Sequence, residues 1–396
     1  MEFITIIGGV FLILFGLRYV RKGFARILGG DLLDWLQRYT RTRPRAFMGG
    51  VVAGTVMPSS TAMAFLSVQM TREGKISWAN VLAVLLGAHV GITVLIQVLA
   101  LNLREYAPLF LAVGGFLFLF LKAQRLRGIG QATLAFGFLL LAMGLISGAA
   151  RTIATDPAIG NLFEALAALP WLLVFGAVVL TMLIQSSTAS IAVALGLAAS
   201  GQVTLPMLLL WVLGANIGLC LTVLVAGWSR LEGRRLGISL LLVKIPLAVA
   251  CIAVLLSVPE ETLAQLPGSL NQQAAWAHTL FNLLGVIGAF NADRLGRLAL
   301  VFAPDPTEPA ESPSRLDPIL QQHPSLAVNA ALRETLRLFD TLHILRESVF
   351  DGLLARYRRP KRQRCTGGRA AFSPCAMRWC LFSTAYRMRI STKTAG

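Results

Sequence analysis

Two Ser-Ser-Thr-Ala tetrapeptides interrupt apolar stretches of the chain. One is Ser59, Ser60, Thr61 and Ala62. The other is Ser186, Ser187, Thr188 and Ala189, with Gln185 before it. Hydroxyls and an amide donate and accept hydrogen bonds without carrying charge. At a break between helices they would join free N–H groups, which suit an anion, and free carbonyls, which suit a cation. Such a site binds and releases an ion without burying a permanent charge. The plainer reading is packing, since small and hydroxyl residues are tolerated in membrane helices and bond to carbonyls one turn back. Duplication of the tetrapeptide favours the site.

Further polar residues follow at matching distances. "LGAHVG" (86–91) trails the first tetrapeptide and "LGANIG" (213–218) the second. Asn216 is a candidate neutral ligand. His89 is titratable, although a lone His among apolar residues serves equally as a packed partner. The glycines in both motifs would allow helices to approach closely. His278 and Asn282 are four apart, on one face of a helix. Lys244 is an ionisable group inside an apolar run and a functional candidate on that ground. Snorkelling to the cytoplasmic face is its alternative.

Shifted by 127 residues, 49–93 falls on 176–220 without a gap, with 13 identities in 45 positions. Both tetrapeptides, Gly74 with Gly201, and both LGAxxG motifs share that register. General hydrophobicity would not align them.

The elements that must hold these residues are membrane helices. Of 396 residues, 56% are hydrophobic and 14% charged, against about 25% charged in soluble domains. Apolar runs at 3–17 (extended by Tyr19 and Val20), 106–121, 129–147 and 238–257 approach the length that crosses a bilayer. The first has no basic stretch before it and no cleavage site after it, so it reads as a retained span. The chain is an all-α polytopic membrane protein.

The net charge of +17 does not point to nucleic acid. Eleven Lys or Arg and no acid lie in 352–396, and the remainder fits the bias of basic residues toward the cytoplasm. The five cysteines form no CxxC pair, which gives no zinc or disulfide framework. Paired carboxylates, His/Glu metal spacing and a Walker motif are missing from the spans, against an enzyme or an ATP-driven pump.

Basic segments at 18–45, 122–128, 229–236 and from 294 onward are placed in the cytoplasm, and the acidic stretch 258–273 outside. Three apolar segments lie between the first two basic loops, so one must enter and leave by the same face. The segment 46–70, with Pro58 and the first tetrapeptide, is the natural choice. The same count makes 171–199 a hairpin from the opposite face. The expected fold is two inverted repeats (about 46–121 and 171–257), each a re-entrant hairpin followed by transmembrane helices, with the N-terminus outside and the C-terminus cytoplasmic. Inverted repeats with interrupted helices are a transporter architecture.

Together these residues resemble the sodium–phosphate cotransporter family, type II and its bacterial relatives. Its duplicated QSSS/T hairpin is matched by Gln185–Ala189 and in part by Ser59–Ala62, its GANIG motif by 214–218 and 87–91, and its HxxFN-like element by His278–Asn282. The resemblance covers roughly 1–303. It implies a secondary active transporter in the cell membrane, carrying out sodium-coupled inorganic phosphate symport. Substrate and sodium would sit between the hairpin tips, at Ser59, Ser60, Thr61, Gln185, Ser186, Ser187 and Thr188, with Asn216 near them. His89, His278 and Asn282 are secondary candidates. Na+ is the coupling ion and no cofactor is implied. Phosphate, Na+ and the lipid bilayer are the partners, and a homo-oligomer is compatible. Pro58 stands where the family has Gln, and His89 where it has Asn. These departures motivate the alternative, a phosphate-sensing membrane protein that does not transport. Beyond the transporter domain (1–302) and a Pro/Ser-rich linker (303–325), 326–357 resembles the first helix of a PhoU-like cytoplasmic region. The basic tail, 358–396, lacks amphipathic period and reads as out-of-frame sequence or as a segment on the inner leaflet.

Overall fold

A computed structural model describes residues 1–28, 39–40, 42–72, 76–304 and scattered positions between 332 and 349. Gly74, most of the linker and the tail 358–396 lie outside the described residues. So does most of the PhoU-like segment 326–357. The chain divides into two units, Met1–Thr307 and Glu308–Gly396. The described positions of the second, between 332 and 349, are helical.

The first unit is helical, with no strand among the described residues. Its order is α1 (Glu2–Leu28), α2 (Arg43–Val56), α3 (Ser60–Arg72), α4 (Trp78–Ala100), α5 (Ala107–Phe120) and α6 (Gln124–Ile153). It continues with α7 (Pro157–Ala167), α8 (Pro170–Ile184), α9 (Ser187–Leu197), α10 (Leu205–Ala226) and α11 (Leu231–Ser257). Last come α12 (Glu260–Ala264), α13 (Leu270–Leu284), α14 (Val286–Phe290) and α15 (Ala292–Phe302). Six helices are long and apolar enough to cross a membrane: α1, α4, α5 (with the turn before it), α6, α10 and α11. The apolar runs of the sequence fall on them.

The repeat reaches the level of helix boundaries. Adding 127 to the first residues of α2, α3 and α4 (43, 60 and 78) gives those of α8, α9 and α10 (170, 187 and 205). The same shift lays α5 within α11 and overlaps α1 with α6. Local signals set several of these starts. Pro lies in the first turn of α2, α8 and α10, where its missing N–H costs nothing. Ser77 caps α4 by accepting from the Asn80 amide. Helix α7 was not expected. It meets α8 at a bend of 102°.

Packing settles the role of the LGAxxG glycines. α2 lies along α4, and α8 along α10. A methyl group added at Gly87 or Gly91 would stand 2.0 Å from the carbonyl oxygens of Phe47 and Val51 respectively. At Gly214 and Gly218 it would stand 2.4 and 2.7 Å from those of Val174 and Val178. Phe47 and Val174, like Val51 and Val178, are related by the 127-residue shift. The glycines are helix-contact residues in both copies.

The core divides in two. One cluster joins Ala189–Leu195 of α9 with Ile96 and Leu99 of α4 and Leu208, Val212 and Ala215 of α10. The other joins Met63, Ala64 and Val68 of α3 with Val81–Ala88 of α4 and Cys220 and Val223 of α10. On α4 the change falls between Ala88 and Ile96, and on α10 between Ala215 and Cys220. His89 and Asn216, equivalent in the repeat, occupy those two intervals.

Candidate functional site

The tetrapeptides sit at the breaks between α2 and α3 and between α8 and α9. Ser186 is the N-cap of α9, and its Oγ accepts from the Ala189 amide at 3.2 Å. Ser59 does the same for α3, accepting from the Ala62 amide at 3.3 Å. Each therefore satisfies one of the amides a helix start leaves free. The next hydroxyls are different. Ser60, Ser187 and Thr188 are only 6%, 4% and 3% exposed. Their oxygens have no partner among the described residues, yet they are not among the fully sealed polar atoms. They are free donors and acceptors opening on accessible space at the start of a helix.

The two breaks differ in backbone. Gln185 has φ 57°, in the left-handed region, which a non-Gly residue enters at a cost of about 1–2 kcal/mol. Its side chain is exposed and makes no hydrogen bond within the protein. Pro58 cannot adopt that conformation, because its ring holds φ near −65°. In the first copy the turn closes through the Ser59 amide, which donates to the Met57 carbonyl at 2.6 Å. The departure at position 58 thus changes the path of the chain as well as removing an amide. Thr61 lines an apolar crevice with Ala64, Val68, Val223 and Leu236, and so stands apart from the polar candidates of its own tetrapeptide.

Arg21 of α1 reaches the first break. Its Nε donates to the Pro58 carbonyl at 3.0 Å. The outer guanidinium nitrogens have no protein partner and are not sealed. In the sequence Arg21 was one of eight basic residues in 18–45, read together as a marker of the cytoplasmic side. Only the contact between α1 and the break singles it out.

Asn216 is 1% exposed, and its Nδ2 donates to the Val212 carbonyl at 2.9 Å. A carbonyl accepts only from the amide nitrogen, so the side chain's orientation is fixed and Oδ1 is left as a free acceptor. His89, His278 and Asn282 form a second buried group with Lys244. Asn282 Nδ2 donates to the His278 carbonyl at 2.8 Å, and Lys244 Nζ donates to Asn282 Oδ1 at 2.7 Å. Lys244 is 0% exposed. The snorkelling reading is therefore corrected: the Asn282 oxygen, with the Phe281 ring 4.5 Å away, holds the ammonium inside the bundle. Next to this group, Thr279 Oγ1 lies 3.1 Å from Thr93 Oγ1 and accepts from Gln97 Nε2 at 2.8 Å.

At one end of the unit a cavity of ≈ 880 Å³ opens between α2, α3, α4, α11 and α15. Arg43, Arg235, Arg297, Glu232 and Asp293 line it. Arg43 and Asp293 form an ion pair there.

Comparison with known proteins places the chain. The model of the Na+/Pi-cotransporter family matches residues 12–148 and 151–270. The chain is 26% identical over 357 residues to proteins of Escherichia coli O157:H7 and strain K12, each named "Putative inorganic phosphate export protein YjbB". The match covers 89% of this chain and 65% of those relatives, so it spans about two thirds of their length. It is also 24% identical over 271 residues to "Uncharacterized protein YqeW" of Bacillus subtilis, covering 68% of this chain and 76% of that one. No solved structure matches it.

Proposed function

The chain belongs to the Na+/Pi-cotransporter family, and from that premise we propose that it is a secondary transporter of inorganic phosphate, coupled to sodium. The observation that carries this reading is the pair of helix breaks in one 127-residue register, each with buried but unsealed hydroxyls at a helix start. Hydrocarbon tolerates such a break only where protein or a water-filled cavity surrounds it. Helices α2 and α3, of 14 and 13 residues, are about 20 Å long and too short to cross a core of roughly 30 Å alone. They are read as a re-entrant hairpin, and α8 with α9 as its counterpart.

The divided core supports inversion of the two copies. α3 packs with the first half of α4 and the second half of α10, and α9 with the reverse. It fits two hairpins entering from opposite faces. By the bias of basic residues toward the cytoplasm, this reading has the N-terminus outside and the cavity lined by Arg235 and Arg297 on the cytoplasmic side.

In this reading phosphate lies between the tips. It accepts from the free amides of α3 and α9 and from the hydroxyls of Ser60, Ser187 and Thr188. Arg21 supplies the positive charge the tetrapeptides lack. Its planar fork matches a phosphate edge. Sodium takes neutral oxygens, of which Asn216 Oδ1 is the free one. Gln185, exposed at its break, borders the water-filled path.

Uptake and release of labelled phosphate by proteoliposomes, with a sodium gradient of either sign, test the function. Flux that follows the sodium gradient supports symport. Phosphate binding without flux would replace it with the sensing reading, for which the altered turn at Pro58 is the motive. Absence of both overturns the proposal.

A further inference from the structure

The proposed site leaves one buried group unused. Lys244 is sealed within α11 and has no carboxylate partner. The one ion pair among the described residues is that of Arg43 with Asp293. The titratable groups near Lys244 are His89 of α4, His278 of α13, Cys220 of α10 and Cys251 of its own helix. Both ring nitrogens of His89 and Nδ1 of His278 are sealed and unpartnered. Nothing in this group offers a full negative charge.

What the ammonium does have is one neutral oxygen and one aromatic face, two kinds of group that a bound monovalent cation would also use. Asn282 Oδ1 accepts from it at 2.7 Å, and the Phe281 ring centre lies 4.5 Å away. Neutral carbonyl oxygens and aromatic faces both hold cations. Two residues further on, Pro246 lies inside the helix. It has no N–H for the Leu242 carbonyl, so a backbone acceptor is freed within the same turn.

Asn216 gives the comparison. It and Asn282 both tie Nδ2 to the carbonyl four residues back, at 2.9 and 2.8 Å. Each thereby holds out a buried Oδ1 as an acceptor. That of Asn216 is open, and that of Asn282 is occupied by the lysine.

We propose that Lys244 is a tethered cation filling a monovalent-cation position at Asn282, in place of a coupling ion. Its role in coupling rests on the transport reading above. The existence of the position does not. The protein then carries one of its cationic charges itself and binds fewer sodium ions per phosphate. Removing the side chain should open the position to sodium.

The test compares the purified full chain with Lys244→Ala and with Lys244→Ala/Asn282→Leu, unfolded thermally in sodium chloride and in choline chloride of equal strength. Lys244→Ala should gain a sodium-dependent rise in Tm larger than that of the unsubstituted chain, and the double variant should lose it. Lys244→Ala stable only in sodium is the same result in a stronger form. Equal response of all three, or failure of Lys244→Ala to fold in either salt, overturns the position. Lys244→Gln ends one atom short of the ammonium and keeps an amide donor but no charge. It should lose phosphate flux at every sodium concentration, and unsubstituted flux in it also overturns the proposal. In proteoliposomes the ratio of labelled sodium to phosphate should be higher in Lys244→Ala. Should the unsubstituted chain move no phosphate, the transport reading fails while the thermal comparison still decides the cation position.

Discussion

Ser59 and Ser186 stand 127 residues apart and make one and the same bond, each Oγ accepting from the amide three residues on, at 3.3 and 3.2 Å. The first serine of each tetrapeptide is a helix cap. The second, Ser60 or Ser187, has no such duty. A motif that reads as one polar unit is thus divided by geometry into a structural residue and free ones.

Capping and binding should separate by mutation. Ser59→Ala and Ser186→Ala each lose a cap and should cost about 1 kcal/mol of stability. Ser60→Ala and Ser187→Ala have no internal bond to lose, so their thermal unfolding should be unchanged. Instead they should weaken phosphate binding roughly 5- to 150-fold, the result of leaving a buried partner unsatisfied. Thermal scans and equilibrium binding of labelled phosphate read the two effects. Unaltered binding in Ser60→Ala and Ser187→Ala together would return the tetrapeptides to packing.

At Gln185 the choice of substitution decides what is measured. Ala at φ 57° keeps the backbone strain of about 1–2 kcal/mol that Gln185 already carries and removes the amide alone. Gln185→Gly removes the amide and relieves that strain as well. Gln185→Gly should therefore unfold at least as high as Gln185→Ala, and Gln185→Pro well below both. Pro58→Gln restores an amide in the first copy and frees the turn now closed from Ser59 to Met57. Sodium-coupled uptake should rise in it if the first break is an impaired half-site.

Arg21→Gln removes the charge beside Pro58. Hydrogen bonds to charged groups contribute about 1.5–3 kcal/mol, so phosphate should bind roughly 10- to 150-fold more weakly. Arg21→Lys keeps the charge but not the fork, and should fall between. Isothermal titration of the three proteins with phosphate checks the order. Full affinity in Arg21→Gln removes Arg21 from the site.

The glycine contacts predict where size is refused. Gly87→Ala and Gly91→Ala place a methyl 2.0 Å from a carbonyl oxygen and should destabilise by about 1–3 kcal/mol or more. Gly8→Ala and Gly115→Ala, with nothing within 4 Å, should be silent. The measurement is the unfolding midpoint in detergent.

Topology is read by labelling. On a cysteine-free background, Ser77→Cys should react from the cytoplasmic side and Ser200→Cys from outside. Reaction of both from one side would remove the inversion of the repeats.

Much of this was legible in the sequence because the signals are short-range or periodic. Apolar runs mark helices that cross a bilayer, and 13 identities in one register mark the repeat. The break at 57–59 follows from Pro58, which ends helices. Helix α7 was not legible because 157–167 lies between two longer apolar runs and its bend against α8 is a tertiary feature. Arg21 was hidden among other basic residues, all of which satisfy the positive-inside bias equally.

The sequence by itself determined the helical membrane class, the repeat, the polar breaks and the residues that interrupt them. These depend on composition and on spacing along one chain. Tertiary structure alone decided which glycines meet which carbonyls, that Ser59 and Ser186 cap while Ser60 and Ser187 stay free, that Arg21 reaches Pro58, and that Lys244 turns inward to Asn282. The physical reason is that each of these is a contact across helices, or a direction taken by one side chain. Lys244 shows it most plainly. From spacing alone an ammonium in an apolar run has two outcomes, solvent at the helix end or a partner inside. The presence of the Asn282 oxygen, 38 residues on, selects the second.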